Sequence, residues 1–194
     1  MKNEEVKKVT ILWGITGSLG SINITDYMSY VMSNLDCQIM TIMTDASRNF
    51  ISPYSVGLKT KNPVFSDMFS QEGNIRIPHV DLTGLADVFI VAPASANSLA
   101  KAVSGIGDDL LSTSFIAYEK PIIFVPNMNE KMRGNRIVQS NIDKLRSFGN
   151  IIVEANSEET GTGNGTKKNG SMPEPEKILS AIMNNINLSR FGSH

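Results

Sequence analysis

Residues 89–109 read FIVAPASANSLAKAVSGIGDD, an apolar run that passes into Pro93, Ala94, Ser95, Ala96, Asn97 and Ser98, a row with almost no side chain. Stripping a surface bare where a strand enters a helix lets something flat lie against the backbone. A second bare stretch, GITGSLGS at 14–21, carries Gly14, Thr16, Gly17 and Ser18 into another helix. Exposed backbone N–H groups and a positive dipole end suit a phosphate there. The same stretch also describes a generic strand-to-helix turn, and it lacks both the GxGxxG spacing of a dinucleotide fingerprint and the lysine of a P-loop. Thr44 and Ser47 set two hydroxyls three apart at a further helix start, where they either complete the same pocket or cap the helix. His79, in Ile77-Pro78-His79-Val80-Asp81-Leu82, has a side chain suited to acid–base work, and it equally fits a packed loop residue.

The elements that must position these groups are continuous apolar runs alternating with helix-compatible segments. Val9 to Gly14, Cys37 to Thr44, Val88 to Ala92, Pro121 to Val125 and Asn150 to Glu154 read as strands. Ser18 to about Leu35 reads as a helix, Asp45 to Phe50 opens a second, and a last one begins near Pro175 with Ile178, Leu179, Ile182 and Ile186 on one face. Runs without alternation belong to strands covered on both faces, and their spacing leaves room for crossover helices. The expected fold class is α/β: a doubly wound parallel sheet, flavodoxin-like (Rossmann-like), with five to six parallel strands and helices on both faces. In such sheets ligands bind beyond the carboxyl ends of the strands, which is where the bare stretches fall.

Composition narrows the rest. The 194 residues are 41% hydrophobic and 19% charged, enough for one core, so residues 1–194 are expected to form a single domain. With 18 basic and 19 acidic side chains and a net charge of −1, nothing attracts nucleic acid or an anionic membrane, and neither is expected as a partner. The N-terminal MKNEEVKK mixes both signs ahead of one short apolar run, unlike a secretory signal, so a cytoplasmic location is expected. The single cysteine, Cys37, fits a reducing compartment and reads as a small buried hydrophobe. Residues 156–175, NSEETGTGNGTKKNGSMPEP, read by composition as a flexible linker.

Taken together, Pro93-Ala94-Ser95-Ala96-Asn97-Ser98, Pro126-Asn127-Met128-Asn129-Glu130-Lys131-Met132-Arg133 and Pro78-His79-Val80-Asp81 resemble the homo-oligomeric flavin-containing cysteine decarboxylases. That family carries a PASANT-type segment, a PxMNxxMW-type segment and a histidine before the third strand, and the likeness runs over roughly residues 8–185. It implies a flavin, FMN with FAD as the alternative, wrapped by Pro93, Ala94, Ser95, Ala96 and Asn97, with Phe50 as a nearby aromatic. Core packing is the commoner fate of a phenylalanine. It implies that His79 serves acid–base work on a thiol. Asn129 is implied to hold a substrate carboxylate, a role an amide fills without adding charge. Asn127, Met128 and Met132 are implied to line the substrate pocket, and residues 156–175 to clamp a peptide, ending at Met172 and Pro173. Lys167 and Lys168 would help neutralise an acidic peptide. Arg133 departs from the family's tryptophan: it loosens the loop, grips the peptide carboxylate or stays solvated.

Two chemistries divide this family. Phosphopantothenoylcysteine decarboxylases carry a cysteine in the Gly-rich segment after the last strand that returns a proton to an enethiol. The matching stretch here, residues 158–166, has none. The resemblance is therefore closest to the lantibiotic-type peptidyl-cysteine decarboxylases. These oxidise the C-terminal cysteine of a ribosomal precursor peptide to a thioaldehyde, whose C=S bond takes the electrons as CO₂ leaves and an aminoenethiol forms. A decarboxylase of a small cysteine conjugate is the near alternative, and a catalytically idle flavin-binding regulatory module the distant one. Family members assemble as trimers with flavin at subunit contacts, or as dodecamers of four trimers. The helix-compatible run from Leu110 to Ile116 serves as interface or as core.

Overall fold

The computed structural model describes residues 8–70, 72–155 and 172–191. Alternation hidden inside the apolar runs divides them between two cores. In β1 (Val9–Ile15), Val9, Ile11, Trp13 and Ile15 face one core, while Leu12 faces the other. β4 (Val88–Ala94) sends Val88, Ile90 and Ala92 to the first and Phe89 and Val91 to the second. β5 (Ile122–Pro126) divides Ile123 and Val125 from Ile122 and Phe124 in the same way. Both faces of each strand are buried, so the period of 2 is invisible in residue type and only a solid apolar run shows.

With β2 (Cys37–Met43), β3 (Val64–Phe65) and β6 (Ile151–Ile152) these strands form one six-stranded sheet in the order β3-β2-β1-β4-β5-β6. Every neighbouring pair is parallel. The first core is roofed by α1 (Ile24–Asn34), α2 (Pro53–Thr60) and α8 (Pro175–Phe191), which bury Ile24, Met28, Val31, Val56, Ile178 and Ile182. The second is covered by α3 (Pro78–Leu85), α4 (Ala96–Ser104), α5 (Leu110–Ala117) and α7 (Arg136–Ser147), through Leu82, Leu99, Leu110, Leu111, Ile142 and Leu145. The doubly wound parallel α/β sheet expected from the sequence is what the chain forms, with the Rossmann strand order. That order reverses between β1 and β4, whose chains leave to opposite faces and open a crevice beyond the carboxyl edge.

Local chemistry moved several boundaries. β3 is two residues long, too short to leave a periodic signal, and the sequence reading missed it. The helix expected from Ser18 begins as a 3-10 turn, Leu19–Asn23, before α1. Asp45–Asn49 is likewise only a 3-10 turn. The true helix, α2, starts at Pro53, whose fixed φ suits the first helical position, behind Ser52, whose hydroxyl accepts the Ser55 N–H at 3.0 Å. In the run from Leu110 to Ile116, Leu110 and Leu111 are buried in the core and Ile116 is exposed. Among the described residues, no helix is long and apolar enough to cross a membrane.

Trp13 ties the two central strands together, donating from Nε1 to Ala92 O at 2.8 Å from a fully buried position. Trp13→Phe removes the donor and part of the ring, and urea denaturation should show a loss of about 1–3 kcal/mol for the orphaned carbonyl plus a further cavity cost.

Candidate active site

Three loops meet beyond the carboxyl edge, and two buried side chains knit them. Thr16, just after β1, donates from Oγ1 to Pro93 O at 2.8 Å and accepts the Ser95 N–H at 2.8 Å, so the first bare loop is pinned to the second. Asn127, just after β5, receives Ser18 Oγ 2.5 Å from its Oδ1 and 2.7 Å from its backbone oxygen, and its Oδ1 accepts the Gly20 N–H at 3.0 Å. The backbone N–H of Asn127 donates to Ala94 O at 3.0 Å. Every polar atom in these ties is matched, which is what allows loops to be buried at all.

The loops enclose a cavity of ≈400 Å³ whose floor is bare: Gly17, Ala46, Ser95, Ala96 and Ser98 line it, with Asn97 at its rim. The close approach of the first two is possible only because Gly17 has no side chain, since a Cβ there would stand 2.5 Å from Ala46 Cβ. Ser95 caps α4, its Oγ accepting the Ser98 N–H at 3.3 Å. Leu110 and Leu111 supply an apolar wall, and Met132, from the short helix α6 (Glu130–Arg133), closes one side. This size lies within the roughly 300–1,000 Å³ range of small-molecule sites. A flat ring edged with polar atoms fits the donor set, which combines a small-residue floor, hydroxyls and an amide.

The cavity draws together Gly17, Thr44, Ser95, Ala96, Asn97 and Met132 of the residues singled out in the sequence. Others lie outside its lining and are used differently. Gly14 sits within β1 under α5, where a Cβ would meet Leu111 Cδ1 at 2.5 Å. The hydroxyls of Thr16 and Ser18 make the inter-loop ties, and that of buried Ser47 donates to Thr44 O at 2.6 Å. Thr44 makes no side-chain cap, which removes the plain capping explanation for it. Pro93 and Ala94 are the buried end of β4, and Phe50 is a half-exposed residue after the 3-10 turn. Met128 packs into the second core. Met172 packs against the first core and Pro173 is buried beside it; residues 156–171 of the expected clamp, with Lys167 and Lys168, lie outside the described residues.

Asn129 is the N-cap of α6, its Oδ1 accepting the Met132 N–H at 2.9 Å, so its position is set by the turn that carries Met132 to the cavity. Arg133 is ion-paired and partly exposed: Nη2 meets Glu154 Oε1 at 2.7 Å, while Glu154 Oε2 also receives Arg146 at 2.8 Å. That pair fastens α6 beside the edge of the sheet. His79 stands in the first turn of α3, at the carboxyl edge, but outside the cavity lining of this chain. Its Nδ1 is shielded from solvent with no partner among the described residues. Asp81 folds back to accept the Ile77 and Arg76 backbone N–H groups at 2.9 and 2.7 Å, and these bonds hold its carboxyl below the usual range.

Sequence reasoning missed the one cation in the described lining. Lys101 follows Asn97 by one helical turn on α4 and reaches the cavity, where Nζ meets Asp108 at 2.6 Å and Asp109 at 2.7 Å. Burial opposes its charge, but the two carboxylates outweigh that and hold the ammonium above its ordinary pKa. The i,i+4 spacing from Asn97 was the available signal. The cavity thus presents a cation already paired rather than a free charge.

The whole chain has known relatives. The Flavoprotein family profile matches residues 1–187. A probable phosphopantothenoylcysteine decarboxylase of Streptococcus mutans is 33% identical over 174 residues, 89% of this chain and 96% of that protein. The mersacidin decarboxylase of a Bacillus species is 33% identical over 180 residues, 91% of this chain and 90% of that one. Among solved structures, the FMN-dependent cysteine decarboxylase SpaF superposes with a TM-score of 0.80 at 30% identity, covering 92% of this chain and 97% of its own. The peptidyl-cysteine decarboxylase EpiD does so with a TM-score of 0.77 at 26% identity, covering 91% and 99%. These relatives are flavin-dependent cysteine decarboxylases, and on the match across nearly its full length this chain belongs to the Flavoprotein family.

Proposed function

We propose that this protein uses FMN to decarboxylate the C-terminal cysteine of a peptide oxidatively, releasing a peptidyl aminoenethiol, with a lanthipeptide-type precursor as the substrate class. The observation that carries the oxidative half is the place of the only cysteine. Cys37 opens β2 at the amino edge of the sheet, opposite the cavity, and burial pushes its thiol up to about 11. No thiol of the chain is therefore placed to return a proton to an enethiol, and the product leaves oxidised. The mersacidin and EpiD relatives support a peptide as the substrate. The equally similar Streptococcus mutans relative supports a second reading, in which a small cysteine conjugate is decarboxylated reductively.

Bound FMN supplies the oxidising equivalent that turns the cysteine side chain into an electron sink for CO₂ loss. Gly17, Ser95, Ala96 and Asn97 are the residues proposed to hold it, on the floor that a side chain would fill. Asn129, with Oδ1 committed to its own turn, turns its amide N–H donors to the substrate carboxylate and adds no cation that would resist its loss. Met132 packs beside the reacting cysteine. His79 is proposed to move the proton of the thiol. Its separation from the cavity in one chain favours a homo-oligomer, in which the face of α3 bearing exposed Ile77, Val80 and Leu85 meets a second copy near that copy's cavity.

Synthetic peptides ending in cysteine, incubated with the purified protein and weighed, should lose about 46 Da, the sum of CO₂ and two hydrogens. A loss of about 44 Da, from a pantothenoylcysteine conjugate rather than from peptides, would instead establish the reductive reading. His79→Asn should retain the yellow flavin while turnover falls by at least about 100-fold; activity surviving in that variant removes His79 from the chemistry. Val80→Asp should shift the mass measured by light scattering toward the single chain and reduce activity with it, whereas an unchanged mass would rule this face out of the assembly.

A further inference from the structure

Gly20 belongs to the bare loop after β1, three residues beyond Gly17, yet it does not line the cavity. A Cβ built there would stand 2.9 Å from Met172 Cγ, 3.0 Å from Asn127 Oδ1 and 3.1 Å from Asn127 Cγ. Asn127 is unable to yield. It is 2% exposed, its Oδ1 is held by Gly20 N–H and Ser18 Oγ, and its backbone N–H is held by Ala94 O. The loop is no softer, because buried Ser21 donates from Oγ to Thr16 O at 2.8 Å and Thr16 is itself tied to the loop after β4. Met172, immediately before buried Pro173 and three residues before α8, is the group that would have to move.

We propose that Gly20 is a positioning residue whose missing side chain seats Met172 against Asn127, and that this seat fixes the chain leading into α8 against the loop that lines the cavity, setting how tightly a cysteine-ended peptide is held. The proposal rests on the peptide-decarboxylase reading above. The seat is placed to act on the substrate rather than on the flavin, because neither Gly20 nor Met172 lines the cavity that Gly17 lines.

The test compares Gly20→Ala, Met172→Ala and the double variant, each loaded with FMN, on a synthetic cysteine-ended peptide. Gly20→Ala should raise KM about tenfold, with kcat moving less than KM and FMN affinity changing by less than about twofold. Once Met172 is alanine, adding Gly20→Ala should raise KM by a smaller factor than it does in the wild type, because the nearest clashing atom, Met172 Cγ, is gone while the contacts with Asn127 remain. Peroxide oxidation followed by peptide mass spectrometry should show Met172 oxidised faster in Gly20→Ala than in the wild type. An unchanged KM, effects of the two substitutions that simply multiply, or a loss of FMN in Gly20→Ala would overturn the proposal. Should Gly20→Ala fail to fold, Met172→Ala alone must still raise KM, and an unchanged KM there overturns it as well. Wild-type protein inert toward every cysteine-ended peptide would sink the functional reading and the peptide half of this proposal; Met172 oxidation, measured without substrate, separately decides whether the seat exists.

Discussion

The site depends on the two hydrogen bonds of Thr16, which join residues 77 and 79 positions apart and hold the loop after β1 against the loop after β4. Parallel strands end at the same edge of the sheet, but their loops diverge to opposite faces, and nothing in the ladder itself keeps them in register beyond the last strand residue. A buried hydroxyl that donates to one backbone group and accepts from another does so at low entropic cost, because Thr has few rotamers to lose. Asn127 repeats the device one strand further along, over a separation of 109 positions from Ser18. With the loops fixed from behind, their forward surface is free to be bare.

Ion pairs flank that bare surface. Lys101 is paired with Asp108 and Asp109, and Arg133 with Glu154. Pairs of this kind contribute modestly to stability but fix geometry, and the two carboxylates on Lys101 leave that cluster net negative. A cavity with so bare a floor has room for a flat ring, and in the proposed reading recognition of the substrate carboxylate falls to the Asn129 amide at its side. Arg133 also has a structural use. Its guanidinium fastens the turn carrying Asn129 and Met132 to the end of the sheet.

The strands were legible because burial on both faces leaves long apolar runs, and the β1, β2, β4 and β5 boundaries follow those runs to within about two residues. β3 was illegible for the opposite reason, since Val64 and Phe65 alone carry no period. The stretch Ser95–Ser98 lines the cavity, and its small size was visible in residue type. The hydroxyls of Thr16, Ser18 and Ser47 make ties within the chain, and residue type alone does not show which distant carbonyl an oxygen faces. Lys101 escaped notice because its partners arrive from the far side of a turn at Gly105, whose φ of 64° returns the chain to it.

The claim on which the account stands is that the edge between β1 and β4 holds an oxidised flavin ring against Gly17, Ser95 and Ala96. The most direct measurement is the visible spectrum of protein equilibrated with FMN and freed of excess by gel filtration, compared with Ala96→Leu, whose side chain would occupy the floor. The account predicts yellow wild-type protein with about one flavin per chain and a colourless variant that remains folded. Wild-type protein that emerges colourless after exposure to FMN and to FAD, or a variant that stays equally yellow, would contradict it.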